Sequence, residues 1–375
     1  MAQAHVTHED RQRCFDNAVR LLHDVFPSED LSKVLSLKDR FIEETKASDS
    51  FKATWEFCSL LSSCQRFLSE INEMTKLEQV CAVNPQAIDT LDDGPAKTDL
   101  KGSVLSHQAQ AVESLGRPLH AIHLNKQCYE IRLQEEPRNP ILLCYTANNL
   151  AYCHNTANLH AGAETWYEQS REWWEITANE DDTKARDRPA RHIQNHARCL
   201  VYLGRYEKAK EMFDLCIPRL KTEQPLNWAM LAYALFGLAT LTRRQGDSDA
   251  AEALYIEAQN AWLEGAQTRT HPFYAACLYK VGVCCLDQGK VEAAIKNLRD
   301  SMEMTEVCKT ARPVEYARTL FKLSEALMHD GLDDGEGEAT WLREEAEKIM
   351  LKTRPEAVRC DTEDAYDSFV PIFWR

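Results

Sequence analysis

Leu203-Gly204-Arg205-Tyr206-Glu207-Lys208-Ala209-Lys210 decides how this chain is read. A glycine free to take the left-handed conformation closes one helix. The alanine five residues later lies inside the next helix, where a small side chain lets two antiparallel helices approach closely. The same punctuation recurs along the chain at Gly116, Asn158, Gly204, Gly246, Gly289 and Gly331, with spacings of 42, 46, 42, 43 and 42 residues. Five residues after the first five turns stand Ala121, Ala163, Ala209, Ala251 and Ala294. Nine residues after them stand Asn125, Tyr167, Phe213, Tyr255 and Leu298, most of them large enough to fill the gap to a neighbouring unit. Seven residues before the turns stand Ala109, Ala151, Ala197, Ala239, Gly282 and Ser324, all small. In the sixth unit Glu336 falls where alanine is expected. A shift of three residues restores the pattern with Ala339 and Ala346, so an acidic insertion, Asp333 to Glu338, is expected to lengthen that turn. A helix pair of this kind cannot bury its apolar face alone, so the units are expected to stack.

Composition agrees with a helical, water-facing protein. The chain has 375 residues, 44% hydrophobic and 27% charged, with 59 acids against 44 bases and a net charge of −15. That balance excludes a disordered acidic tail and argues against a nucleic-acid binder. Only 13 glycines and 13 prolines interrupt the chain, which favours helix. No run reaches the ~18 apolar residues of a membrane span, and the first ten residues hold no apolar leader, so no membrane association is expected. Fourteen cysteines are scattered without any Cys-x-x-Cys pair. They read as reduced thiols in a cytoplasmic protein.

The turn sequence at 203–210 and its counterpart Gln288-Gly289-Lys290-Val291-Glu292-Ala293-Ala294-Ile295 resemble the tetratricopeptide repeat (TPR) family. The ordinary repeat of that family is 34 residues. Units near 42 residues, and the start Asn148-Asn149-Leu150-Ala151, are similar to the kinesin light-chain type. The resemblance spans about 100–355 and implies an all-α fold: a right-handed α-solenoid of antiparallel helix pairs with an N-terminal helical cap. The flanks, Phe15 to Leu22, Val25-Phe26-Pro27, Trp55 to Cys58 and the closing Asp364 to Arg375, resemble the region around the repeats of fungal NOD-like (NB-ARC/TPR) proteins. The nucleotide-binding part is lacking; Gly289-Lys290 is followed by Val291 and lies on a repeat turn, so it is no P-loop. The expected organisation is 1–83 as capping helices (8–25, 28–47, 51–80), 84–99 as a breaker-rich connection, 100–357 as six repeats, and 358–375 as an apolar closing cap.

The same resemblance implies that the first helix of each unit lines a concave groove. It selects Tyr145, Asn148, Asn149 and Tyr152 in the second unit, Arg191, Asn195, Arg198 and Tyr202 in the third, Tyr233 and Arg244 in the fourth, Lys280 in the fifth, and Arg318 and Lys322 in the sixth. Ser106, His107, Gln110, Asn155, Gln194, Phe236, Thr240, Arg243, Tyr279 and Glu325 fall at equivalent positions. Across these positions the cations Arg191, Arg198, Arg243, Arg244, Lys280, Arg318 and Lys322 face one acid, Glu325. Asparagine amides can pair with an extended backbone, cations with carboxylates, and tyrosines offer flat packing surfaces. The expected occupant is an acidic or aromatic-acidic peptide of a protein partner. The competing reading pairs these cations with acids of the chain itself. Arg318 and Lys322 are similar to the end of the carboxylate clamp of chaperone-tail binders, but Lys280 stands where that clamp has asparagine, so such binding is not expected.

Catalytic and metal chemistry find little purchase. His192-x-x-x-His196 puts two imidazoles on one helical face, but His196 falls at a packing position and no third ligand follows by spacing. Cys153 and His154 are sequence neighbours and point apart on a helix. Trp166, Trp173 and Trp174 read as inter-unit packing, with an exposed partner patch as the alternative. No Gly-x-Ser-x-Gly, His-Glu-x-x-His or Gly-x-Gly-x-x-Gly motif is present. No catalytic residue, cofactor or metal is expected. The favoured function is a non-catalytic scaffold or adaptor. The alternative is a small-molecule-binding or catalytic accessory protein of a fungal biosynthetic pathway, with the Phe369–Trp374 tail plugging a pocket.

Overall fold

The structure, a computed structural model, describes residues 7–24, 26, 31–70, 73–180, 188–269, 271–310, 312–329, 337–355, 357, 360–370 and 372–375. It is helical, with no strand among the described residues, and no described helix is long and apolar enough to cross a membrane. The chain forms two compact units, Met1–Arg186 and Asp187–Arg375.

The first unit holds α1 (His8–His23), α2 (Leu31–Ala47), α3 (Trp55–Glu70), α4 (Met74–Asp89), α5 (Pro95–Ser114), α6 (Pro118–Leu133), α7 (Pro140–Thr156) and α8 (His160–Glu180). Helices α1 to α4 close around an aromatic knot in which Phe15 meets Phe41, Phe51 and Phe57 at centroid distances of 6.1, 5.2 and 4.9 Å. Two expectations change here. The helix expected over 51–80 is two helices, α3 and α4. The connection expected over 84–99 shrinks to 90–94, because α4 carries Pro85 inside it. Leu77, Val80, Cys81, Asn84, Ala87 and Ile88 are all buried at helical spacing. That burial outweighs the one backbone hydrogen bond a proline forfeits. Pro95 then starts α5 at its first turn, where a missing amide costs nothing.

The second unit holds α9 (Ala190–Tyr202), α10 (Tyr206–Thr222), α11 (Trp228–Arg244), α12 (Ser248–Ala266), α13 (Pro272–Asp287), α14 (Val291–Val307), α15 (Pro313–His329), α16 (Glu338–Thr353), α17 (Glu363–Asp367) and a closing 3-10 turn, Ile372–Trp374. From α5 onward the helices pair as the repeat foretells: α5/α6 and α7/α8 in the first unit, α9/α10 through α15/α16 in the second. Within each unit the second helix of a pair packs on the first helix of the next.

The turns between partners are left-handed at the expected residues: φ is 82° at Gly116, 61° at Asn158, 72° at Gly204, 93° at Gly246 and 74° at Gly289. The chain reverses through paired bonds, such as Arg205 N to the Leu200 carbonyl at 2.9 Å and Gly204 N to that of Val201 at 3.2 Å. These satisfy carbonyls at the helix end. All five alanines after the turns are fully buried, as are Ala339 and Ala346. At Gly282 an added Cβ would stand 2.8 Å from Leu298 Cγ, so here the repeat's small position takes even a methyl group only if a neighbour shifts. Gly331, most of the 333–338 insertion, and Val25 and Pro27 of the first flank lie outside the described residues. The acidic run Asn179-Glu180-Asp181-Asp182, in the unit with the longest spacing, reads from sequence as an enlarged loop; Asn179 and Glu180 instead end α8, and 181–187 lie outside the described residues.

Candidate functional site

A cluster of cations in the second unit lies on the first helices of its pairs. Helix α11 supplies Arg243, α13 Lys280, and α15 Arg318 and Lys322, one turn apart. The side chains of Lys280 and Arg318 are 3% and 2% exposed. Burying such cations requires partners. Those partners come from the end of the chain.

Thr362 caps α17, its Oγ1 accepting from Ala365 N at 3.3 Å. Glu363 and Asp367 are four residues apart and share a face of this helix. The Glu363 carboxylate lies 2.9 Å from Lys280 Nζ, 3.3 Å from Lys322 Nζ and 3.3 Å from an Arg243 nitrogen. Asp367 lies 2.9 Å from Lys280 Nζ and 2.6 Å from Arg318 Nη1. Arg243 also holds Asp287 at 2.7 Å, and Lys322 also holds Glu325 at 2.7 Å. Burial works to raise the Glu363 carboxyl, but Lys280, Lys322 and Arg243 outweigh it and hold the group well below the usual carboxylate range. Asp367 is likewise lowered, with Lys280 and Arg318 overcoming its burial. Both acids are therefore ionised at neutral pH.

Beyond α17 the chain lies against α11 and α13. Tyr366 stacks on Phe321 at 4.9 Å, and Val370, Ile372 and Trp374 are buried in the second unit's core. Arg198 donates to the Ile372 carbonyl. Arg318 donates through Nη1 and Nη2 to the Trp374 carbonyl, both at 3.2 Å. Trp374 Nε1 donates to Glu315 at 3.3 Å, under the guanidinium of Arg312 at 4.9 Å. Arg375 donates twice to the Val370 carbonyl and lies 5.1 Å over Tyr202; Arg244 lies 5.0 Å from the same ring. Between segment and helices remains a cavity of about 300 Å³, lined by residues that include Tyr202, Thr240, Arg243, Arg244, Lys280, Glu363, Asp364 and Arg375.

The structure thus brings Arg198, Tyr202, Lys280, Arg318 and Lys322 onto one segment, residues 362–375, with Arg244 beside it over the Tyr202 ring and at the cavity. Tyr233 backs them, with Arg198 6.0 Å from its ring. Arg191 is exposed, and Asn195 accepts from Gln194 Nε2 at 2.7 Å. Tyr145, Asn148, Asn149 and Tyr152 line α7 in the first unit. Asn149 donates to Ser106 at 3.5 Å, and Asn148 Oδ1 is buried without a hydrogen-bond partner among the described residues. Glu363 and Asp367 lie in a segment expected to be an apolar cap, and the repeat positions do not point to them. Their helical spacing beneath a capping threonine was the available signal.

The other candidate histidines and cysteines are buried. His192 is buried, and burial, then Arg191 and Arg188, push it well below its ordinary value. His196 is buried on the same helix. Burial raises the Cys284 thiol to about 12 and Cys153 well above its usual value, which disfavours the thiolate at both. Trp166 meets Tyr129 edge-on at 5.1 Å, and Trp173 Nε1 donates to the Tyr129 hydroxyl at 2.8 Å, joining α8 to α6.

Family models of the tetratricopeptide repeat match residues 230–306 and 193–217. No curated protein matches the chain. Among solved structures, a Rap protein complexed with Competence and Sporulation Factor is 12% identical with a TM-score of 0.57, covering 97% of this chain and 96% of its own. NprR in complex with its cognate peptide NprX is 13% identical with a TM-score of 0.55, covering 97% and 98%. A putative kinesin light chain of Podosopora anserina with nearly identical TPR-like repeats is 19% identical with a TM-score of 0.43, covering 58% and 98%. At these identities the likeness is one of fold: tetratricopeptide-type helical repeats.

Proposed function

We propose that this protein is a non-catalytic helical-repeat scaffold that holds an acidic-aromatic peptide of a protein partner against the first helices of its repeats. One observation carries the reading. The face of α11, α13 and α15 already holds a segment of that chemistry, with carboxylates on Lys280, Arg318, Lys322 and Arg243 and Tyr366 stacked on Phe321. The solved complexes of two proteins of similar fold, one with Competence and Sporulation Factor and one with the peptide NprX, support it by analogy. On α7, Tyr145, Asn148, Asn149 and Tyr152 belong to the same reading as groups for an extended backbone. Free thiols throughout the chain suit a reducing cytoplasm. A relation to fungal NOD-like proteins rests on the flanking sequences alone.

Arg244 provides the test, because it is exposed and its reversal leaves the core alone. Arg244→Glu in the full chain is expected to weaken capture of acidic-aromatic peptides from an array about tenfold, equivalent to about 1.4 kcal/mol. Wild-type capture is expected to fall with salt. Capture that is indifferent to both would remove the reading. A second reading follows from the 300 Å³ cavity beside Tyr202 and Arg244: a small anionic ligand. Stabilisation by a dicarboxylate or phosphate panel, lost in Arg244→Glu without loss of peptide capture, would select it.

A further inference from the structure

The closing segment is held as a ligand is held, through its side chains and its carbonyls, by groups on four different helices. Its acids and its apolar residues take separate places. Glu363 and Asp367 sit among Lys280, Lys322, Arg243 and Arg318. Tyr366, Val370, Ile372 and Trp374 fill apolar positions. Arg198 and Arg318 take backbone carbonyls, which any peptide offers. Two of the cations keep a second acid, Asp287 on Arg243 and Glu325 on Lys322, whereas the ion pairs of the more deeply buried Lys280 and Arg318 run to Glu363 and Asp367, so a displacing peptide must bring carboxylates to those two.

We infer that residues 362–375 are a resident competitor, and that the partner peptide carries the same pattern: two carboxylates one helical turn apart, an aromatic residue just before the second, and a run of apolar and aromatic residues after it. This rests on the reading of the face as a peptide acceptor and adds what the peptide is and what must leave first. A tethered segment competes at an effective concentration in the millimolar range for a short flexible link. A free peptide of equal affinity therefore half-displaces it only near millimolar concentration. Weakening the resident segment by 1.4 kcal/mol lowers that midpoint tenfold.

The experiment uses the full chain and a fluorescent, end-capped synthetic peptide of residues 360–375. Anisotropy is measured for wild type and for the double variant Glu363→Gln/Asp367→Asn, whose own segment loses its charges while the cations remain. The expected result is a midpoint at least tenfold lower in the variant. Hydrogen exchange on the wild type is the second measurement and holds even if the variant misfolds. Excess peptide is expected to accelerate exchange of the amides of 363–370 while α13 and α15 stay protected. Equal midpoints for both proteins, with the segment's exchange unmoved, would overturn the inference and leave peptide binding elsewhere intact. Exchange of the segment only together with α13 and α15 would make it a permanent cap and overturn the inference as well. A segment that opens by itself while neither protein binds the peptide would defeat the acceptor reading, and the inference with it.

Discussion

Single residues set the closeness of the helix pairs, and Gly282 is the sharpest case. It stands on α13 facing α14, where a methyl group would meet Leu298 Cγ at 2.8 Å and the Ala294 carbonyl at 3.3 Å. The Leu298 side chain can yield, but the backbone oxygen of a packed helix cannot without moving α14. Gly282→Ala gains helix propensity of roughly 1 kcal/mol and incurs overpacking of roughly 1–3 kcal/mol. A net loss of about 1 kcal/mol is expected in urea unfolding. The outcome against it is a variant as stable as wild type, which would mean that α13 and α14 are not closely packed at this point. The cations of the inner face follow a related logic of confinement. Lys280 touches both Glu363 and Asp367, so its ammonium is compensated twice, and neither acid is left alone in a buried place.

The short helix α17 is where local sequence and distant packing meet. Five residues do not sustain a helix in water, since nucleation is unfavourable and few bonds follow it. Its formation depends on the Thr362 cap, on Glu363 and Asp364 in its first turn, and on docking to α15. Thr362→Ala removes the cap and is expected to loosen α17 by about 1 kcal/mol. Exchange of the Tyr366 and Asp367 amides should then quicken several-fold while α15 is unaffected; no change would mean that docking alone shapes the segment. This element also marks what the sequence made legible. The turns at Gly116, Asn158, Gly204, Gly246 and Gly289 could be read because a left-handed residue and a buried alanine at fixed separation are local requirements. Pro85 misled because its local preference was overridden by the buried face of α4. Arg198, Lys280, Arg318 and Lys322 were marked as a cationic face by their repeat position. What meets them could not be read from spacing, since Glu363 and Asp367 follow Arg318 and Lys322 by some forty residues of intervening chain. A pairing across such a separation follows from packing, not from periodicity.

At the scale of the whole molecule, an acidic chain gathers cations inside its second unit and keeps several histidines neutral in both. Burial, with Arg66 and Arg132 nearby, lowers His107 in the first unit to about 4. Burial and Arg312 lower His271 in the second unit to about 4, and His192 is lower than its ordinary value by a wide margin. A histidine whose folded value lies below its unfolded value of about 6.5 binds its proton first in the unfolded chain. Its contribution is intact above pH 6.5 and is lost as pH falls toward 4, with a slope of up to about 1.4 kcal/mol per pH unit for each such group. Glu363 and Asp367 act in a later window. Their values are depressed, so the stability they lend is full above the ordinary carboxylate range and fades as pH drops below it. Both units should therefore lose stability between pH 6.5 and 5 while the closing segment stays ion-paired. Urea unfolding at pH 7.5, 6 and 5, followed by hydrogen exchange resolved over α5 and α13, measures this. Stability that is level across that range would contradict the neutral burial of these rings. His107→Gln, which cannot take up a proton, should flatten the decline in the first unit and leave that of the second unchanged.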